Sequence, residues 1–234
     1  GAIGFGLGAA LSTSPMTPDQ KTPGVPMQDL QLPSNIIGDP IPDCLGTVKI
    51  ARPFLMCYGK ERNEPIYTEY SQPSGGKGGG GAKKKRQVTG HNYYMSWALG
   101  ICKGPVDAVL TIFKDEKEIW SGKVERPASG GVETITIPNF GTVRFYFGTD
   151  DQDSDATVGE MISDSTLNFP YRGLCYAVFD DCLLGNFNRM PAMSFVIQKF
   201  PSLSFSTKNI VEKVDYNPIH AIYYILAKAV GLSE

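Results

Sequence analysis

The segment PYRGLCYAVFDDCLLGNFNRMPAMSFVI, residues 170–197, contains the clearest strand and turn signals in the chain. Residues 174–179 and 193–197 are short apolar runs rich in aromatic and β-branched side chains, which predicts two β-strands. Turn-forming residues precede both runs, at 170–173 and at 186–191. The segment therefore predicts two strands, each entered from a turn.

The same signals recur upstream of this segment. In residues 142–147, Val143, Phe145 and Phe147 alternate with polar or mixed residues, which predicts that one face of this strand is core. The stretch FKDEKEIW, residues 113–120, predicts an antiparallel hairpin with a polar tip at 115–117. The remaining predicted strands cover residues 47–50, 93–101, 108–114 and 132–137.

The order of these elements predicts the fold class. No predicted strand is followed by a helical pattern before the C-terminus, which disfavours a doubly wound α/β sheet. Gly and Pro are abundant, at 26 and 17 of 234 residues, which is typical of many short strands joined by turns. We expect a mainly β, antiparallel barrel or sandwich over residues 36–200.

Two further regions flank the predicted β domain. Residues 1–35 begin with an apolar, Gly-rich segment and continue with a Pro-rich segment. We expect the Pro-rich segment to be an extended arm, because proline disfavours helix. Residues 201–234 read as a linker and an amphipathic helix that starts a further domain, with Asn217 as N-cap and Pro218 at the first helical position. Inside the β domain, residues 71–88 are Gly- and Lys-rich, which predicts a flexible basic loop.

Composition limits the possible partners. The net charge is −2, so the chain as a whole has no field that would attract nucleic acid or an anionic membrane. No apolar run approaches the roughly 18 residues of a membrane span. Five cysteines are present, none at zinc or redox-pair spacing, and we expect them to be reduced and mostly buried.

Two glycine-rich or basic segments need separate interpretation. Gly1, Gly4, Gly6 and Gly8 form a small-residue stripe that would allow close packing of the N-terminal segment, although a frayed terminus is the plain alternative. The basic run Lys83, Lys84, Lys85 and Arg86 could contact DNA phosphates or a partner, although a solvated loop is the simpler interpretation. Neither segment matches a dinucleotide or phosphate-binding fingerprint.

The sequence contains no catalytic motif, and we expect no enzyme activity and no cofactor. The two histidines, His91 and His220, lie in unrelated contexts, which makes a catalytic triad improbable. Asp151, Asp153 and Asp155 resemble the start of a calcium loop, but the turn glycine and the closing glutamate are missing. An exposed turn is the simpler interpretation, and no metal site is expected.

Five blocks of the sequence, taken in order, are GDPIPDCLGTVKIARPF (38–54), NYYMSWALGICKGPVDAVLTIFKDEKEIWSG (92–122), VRFYFGTDDQDSD (143–155), the opening segment (170–197) and NPIHAIYYILAKAVGLSE (217–234). Together they resemble the central hub protein of long-tailed phage tail tips, a family that includes the lambda-type tip attachment protein and gene-transfer-agent hubs. The resemblance extends over residues 38–232 and is most specific at 171–191. Its family-pattern residues, which we interpret as fold determinants, are Gly148, Gln152, Tyr171, Arg172, Gly173, Asn188 and Pro191.

This resemblance implies a structural role at the tail tip of a virion. It implies a homotrimer that closes the tail tube, contacts the distal tail ring, the tape-measure protein and other tail-tip proteins, and opens for DNA ejection, with transient DNA in its channel. The N-terminal small-residue segment would then pack in or near the lumen. The long GGKGGGG insertion departs from the family pattern, so the role of that hairpin is not implied.

Two alternatives remain open from the sequence. One is a tail-associated cell-wall hydrolase, and the other is a carbohydrate-binding module that uses Tyr93, Tyr94, Trp97 or Trp120. The alternating pattern predicts that at least some of these aromatic residues belong to the core. Neither alternative has a motif in its favour.

Overall fold

The computed structural model describes residues 39–72, 83–186, 189–200 and 218–230. The described chain separates into two compact units, one containing residues 65–72 and 83–91 and the other containing the rest. The predicted plug glycines Gly1, Gly4, Gly6 and Gly8, the arm at 1–35 and the linker at 201–217 lie outside the described residues.

Nine strands and two α-helices make up the described chain. The strands are β1 (Gly46–Ile50), β2 (Phe54–Gln72), β3 (Lys83–Lys103), β4 (Ala108–Lys114), β5 (Lys117–Glu125), β6 (Glu133–Ile137), β7 (Gly141–Phe147), β8 (Leu174–Gly185) and β9 (Met193–Lys199). The helices are α1 (Ala156–Met161) and α2 (Pro218–Val230), and a single 3-10 turn spans Ser165–Leu167. Neither helix is long and apolar enough to cross a membrane.

The strands form two antiparallel sheets, and the described strands do not close into a barrel. The first sheet has the order β1-β9-β4-β5, and the second has the order β2-β3-β8-β7-β6. Strand β9 lies between β1 and β4, with Ile197 opposite both Val48 and Val109. Strand β8 lies between β3 and β7, with Phe179 opposite both Trp97 and Val143. The mainly antiparallel β prediction is confirmed, with two sheets rather than a barrel.

The main core lies between the two sheets. Trp97 and Phe179 stack with ring centroids 4.6 Å apart inside the second sheet. Phe195, on β9 of the first sheet, lies 6.2 Å from the rings of both Phe145 and Phe179, and it is fully buried. Aromatic rings at these separations make favourable edge and tilted contacts. Phe195 therefore joins the inner faces of both sheets.

Strand β7 shows why the second sheet is covered on both faces. Val143, Phe145 and Phe147 are buried in the intersheet core, as the alternation predicts. Tyr146 points to the opposite face and is also buried, because it packs with Val158 of α1 and with β8. At β7 the second sheet therefore lies between the first sheet on one face and α1 on the other.

Helix α1 corrects the prediction that no helix precedes the C-terminal one. With six residues it is too short to show a helical period, and its start lies in the acidic run interpreted as a turn. Its N-cap is Asp155, whose side chain accepts hydrogen bonds from Thr157 N and Val158 N. The capping carboxylate, rather than an apolar stripe, marks this helix.

Most predicted strands are present, but several are longer in the structure. Strand β8 continues to Gly185, and β2 was not predicted at all, because its run of charged residues and its proline hide any alternation. The predicted loop at 71–88 is strand at 71–72 and 83–88, and its remaining residues lie outside the described chain. The hairpin tip between β4 and β5 is Asp115 and Glu116, both with positive φ, as a two-residue turn requires.

We expect Phe195→Ala to lower the free energy of unfolding by about 3–5 kcal/mol, because it removes a fully buried ring and leaves a cavity between the sheets. The matched control is Phe169→Ala, since Phe169 is 53% exposed and its loss should cost less than about 0.5 kcal/mol. Urea unfolding followed by tryptophan fluorescence measures both variants. Equal losses of unfolding free energy in the two variants would contradict the burial of Phe195 between the sheets.

Candidate functional site

The two histidines lie on different elements of the described chain. His91 lies on β3 and His220 on α2, in different compact units. In the described part of the chain, no three His, Cys, Asp or Glu side chains are placed to hold a metal ion.

Gln152 is the centre of a buried polar cluster. Its side chain is 2% exposed, its Oε1 accepts from Gly148 N at 2.7 Å, and its Nε2 donates to Pro170 O at 2.8 Å and Tyr171 O at 2.9 Å. Its own backbone oxygen accepts from Arg172 Nε at 3.3 Å. One amide thus joins the end of β7 to the turn that leads into β8.

Two glycines permit the close backbone contact beside Gln152. Gly148 has φ near +80°, and a Cβ placed there would lie 2.7 Å from Gly104 Cα and 3.0 Å from Cys175 N. A Cβ on Gly104 would lie 2.5 Å from Gly148 Cα. Gly104 N also donates to Gly173 O at 2.8 Å. Any side chain at Gly104 or Gly148 would force the ends of β3, β7 and β8 apart.

The turn before β8 is held in a left-handed conformation. Tyr171 has φ near +47° and Gly173 near +77°, and Leu174 N closes the turn onto Tyr171 O at 3.1 Å. A positive φ costs an aromatic residue free energy, so the contacts of this turn must offset that cost. The two hydrogen bonds from Gln152 supply such contacts.

The structure brings five family-pattern residues together in this cluster: Gly148, Gln152, Tyr171, Arg172 and Gly173. Pro191 lies elsewhere, buried just before β9. Asn188 lies outside the described residues. Sequence reasoning missed Gly104, and the only signal for it was its place in a Gly-Pro turn.

A second polar cluster fixes α1 on the outer face of the second sheet. Asp155 is 3% exposed and accepts from Arg144 Nε at 2.7 Å and from Tyr146 Oη at 2.8 Å, in addition to its two capping bonds. Arg144 also donates to Asp180 at 3.1 Å and to Thr157 Oγ1 at 2.7 Å. These contacts join β7, β8 and α1.

The charges of this cluster stabilise one another. Burial alone would raise the pKa of Asp155, but hydrogen bonds from Arg144 and Tyr146 lower it below the usual range. Burial and the hydrogen bond to Asp155 raise the pKa of Tyr146. With its oxygens engaged by Arg144, Tyr146 and the helix N-terminus, Asp155 is not arranged as a calcium ligand.

The predicted DNA or partner contact lies at the outer part of the β2–β3 hairpin. Lys83, Lys84, Lys85 and Arg86 are the first four residues of β3. Lys85 is half-buried, whereas Arg86 is exposed and pairs with Glu69 at 2.8 Å. Part of the positive charge is therefore neutralised within the hairpin.

The aromatic residues of the carbohydrate-binding alternative do not share one surface. Trp97 and Tyr93 belong to the intersheet core, with exposures of 0% and 3%. Tyr94 is half-buried beneath the Arg62 guanidinium, which lies 3.8 Å from its ring centre. Trp120 is half-buried against the core on β5. The prediction that some of these aromatics are core is confirmed.

Exposed apolar side chains of the described surface are grouped on the loop before β8 and on α2. Leu167 and Phe169 are 48% and 53% exposed on the loop between α1 and β8. Helix α2 exposes Ile219, Ile222, Ile225, Leu226 and Val230. Large apolar side chains grouped in this way are typical of protein contact surfaces.

Comparison with known proteins gives a limited structural likeness. No known family profile matches the sequence, and no curated protein matches it. Among solved structures, a chain from "Virion of native gene transfer agent (GTA) particle" is similar, with 19% identity and a TM-score of 0.44 over 75% of this chain. The match covers 30% of that longer chain.

We expect Gln152→Glu to destabilise the fold by about 2–4 kcal/mol at neutral pH, because a carboxylate cannot donate to the Pro170 and Tyr171 carbonyls. Gln198→Glu is the matched control, since the Gln198 side chain is only partly buried and bonds Thr47 at 3.2 Å. Chemical denaturation of both variants measures the difference. An unchanged midpoint for Gln152→Glu would contradict the role of this amide.

We expect Asp155→Asn to lower the free energy of unfolding by about 2–4 kcal/mol at pH 7, because it breaks a buried pair with Arg144. The lowered pKa of Asp155 means that its stabilisation is present above about pH 4 and is lost as the pH falls through the folded-state pKa. The difference in the free energy of unfolding between the parent and Asp155→Asn should therefore become smaller below about pH 4. Denaturation curves from pH 7 to 3 test this, with the exposed Asp153→Asn as control.

Proposed function

We propose that this chain is a structural segment of the tail tip of a phage or phage-like particle, in the position of the central hub. The proposal rests on the resemblance over residues 38–232 together with the Gln152 cluster. The family-pattern residues that the structure describes there are engaged with backbone groups, not with an open site. Such residues specify shape, which is what a ring-forming scaffold needs.

In this proposal the chain works as a homotrimer in the virion. Three copies surround an axial channel, contact the distal tail ring, the tape-measure protein and other tail-tip proteins, and rearrange to release DNA. The two-sheet body would supply the ring, and the exposed Leu167 and Phe169 side chains are available for contacts with neighbouring proteins.

The basic hairpin and the N-terminal segment have subsidiary roles in the proposal. Lys85 and Arg86, with the adjoining lysines, would meet a partner or the phosphates of DNA in transit. Gly1, Gly4, Gly6 and Gly8 would let the N-terminal segments of three copies pack closely in the lumen. The proposed role is mechanical and includes no catalytic step.

The proposal predicts both the oligomeric state and the position of this polypeptide. Antibodies raised against the 234-residue chain should label one end of the tail in electron micrographs of intact particles, and pre-adsorption with the purified chain should remove the label. Mass photometry of the complex released from the tail should give three copies. Label elsewhere on the particle, or a single copy in the released complex, would overturn the hub assignment.

A further inference from the structure

Three cysteine side chains form a cluster in the larger compact unit. Cys44 precedes β1, Cys102 lies on β3 and Cys175 lies on β8, with exposures of 5%, 0% and 0%. Cys102 lies beside both others, because Lys103 N donates to Pro42 O at 2.9 Å and Cys102 is the cross-strand partner of Cys175. All three are free thiols. Cys102 is therefore placed to pair with either neighbour.

The two possible pairs differ in their backbone setting. Cys102 and Cys175 are cross-strand partners in the second sheet, so both are held by ladder hydrogen bonds on central strands. Cys44 lies outside any strand, in residues 39–45. Such a non-strand segment opens more readily than a central strand.

The segment that carries Cys44 is fastened at a few points. Pro42 O accepts from Lys103 N at 2.9 Å, and Asp43 pairs with the buried Lys199 ammonium at 2.7 Å. Lys199 Nζ also donates to Lys103 O at 2.9 Å. Asp43 also pairs with Lys228 of α2 at 2.8 Å. Opening of the segment would break these contacts and move Cys44 away from Cys102.

The closed structure protects the thiols. The hydrogen bond to Cys102, followed by burial, raises the pKa of Cys44, and the hydrogen bond to Cys175 raises that of Cys102. The nearby Lys199 charge opposes the increase for both thiols. Since the thiolate is the reactive form, neither thiol reacts readily until the 39–45 segment opens.

We propose that Cys44 and Cys102 are a disulfide-forming pair, which a low-molecular-weight disulfide oxidises through opening of residues 39–45. The exposed Cys44 thiolate attacks the small disulfide, forms a mixed disulfide and releases one small thiol. When the segment closes, the Cys102 thiolate attacks the Cys44 sulfur and releases the second small thiol. Two protein thiols thereby become one disulfide, and one small disulfide becomes two small thiols.

The disulfide would crosslink the 39–45 segment to the second sheet. Residues 39–45 lead directly into β1 of the first sheet, whereas Cys102 is near the end of β3. A Cys44–Cys102 bond would therefore connect the 39–45 segment, and through it β1 of the first sheet, covalently to β3 of the second sheet. Such a long-loop crosslink restricts the unfolded chain and raises thermal stability.

Tryptic peptide mapping after oxidation tests the pair directly. The folded chain is treated with glutathione disulfide at low protein concentration, free thiols are alkylated, and the chain is digested. Trypsin places Cys44 in peptide 22–49, Cys102 in 87–103, and Cys175 with Cys182 in 173–189. We expect peptides 22–49 and 87–103 to be linked within monomers, with the melting temperature raised by roughly 5–10 °C.

Three results would overturn the proposal: a link between 87–103 and 173–189, a link between separate chains, or no link. Cys175→Ala and Cys182→Ala are controls that should keep the bond, whereas Cys44→Ala should abolish it. Asp43→Asn should speed bond formation severalfold, because it loosens the segment, and Asp153→Asn should not. An unchanged rate in Asp43→Asn would contradict the opening step.

Discussion

The side-chain amide of Gln152 organises the junction on which the second sheet depends. It contacts the backbone at the end of β7 and the backbone of the turn before β8, and it does so while almost completely buried. An amide can satisfy both a donor and two acceptors, which neither a carboxylate nor an apolar side chain of this size can do. The backbone contact between Gly104 and Gly148 then brings the end of β3 to the same point.

The two polar clusters stabilise the second sheet through different kinds of contact. Gln152 satisfies backbone groups, whereas Arg144 and Asp155 join side chains of β7, β8 and α1. A buried ion pair gains little over apolar packing, but loss of one partner is costly. The Asp155 cluster therefore favours a single placement of α1 more than it adds to overall stability.

The distribution of polar and apolar groups fits a scaffold better than a ligand site. In the described chain the buried polar side chains of these clusters are directed at backbone or at each other, and several large exposed apolar side chains lie on the loop before β8 and on α2. The loop that carries Leu167 and Phe169 is held by two hydrogen bonds. Asn168 Nδ2 donates to Asp155 O, and Pro170 O accepts from Gln152 Nε2. A fixed apolar loop loses little conformational entropy on binding.

Local sequence determined the features that depend on neighbouring residues. Alternation identified the core face of β7, turn formers identified the entry to β8, and Pro218 identified the start of α2. The same reasoning missed β2, because the charged residues and Pro65 that follow its partly buried start, residues 54–57, interrupt any alternation. It missed α1, because six residues are too few for a helical period.

The sequence allowed Gln152, Gly148, Tyr171, Arg172 and Gly173 to be interpreted as fold determinants, but tertiary structure alone decided that they meet. Their contacts join the end of β7 to the turn before β8, and Gly104, which completes the junction, gives no more local signal than any turn glycine. The same is true of Cys44, Cys102 and Cys175. Their spacing is uninformative, and only the packing of an incoming segment against two paired strands brings the three thiols together.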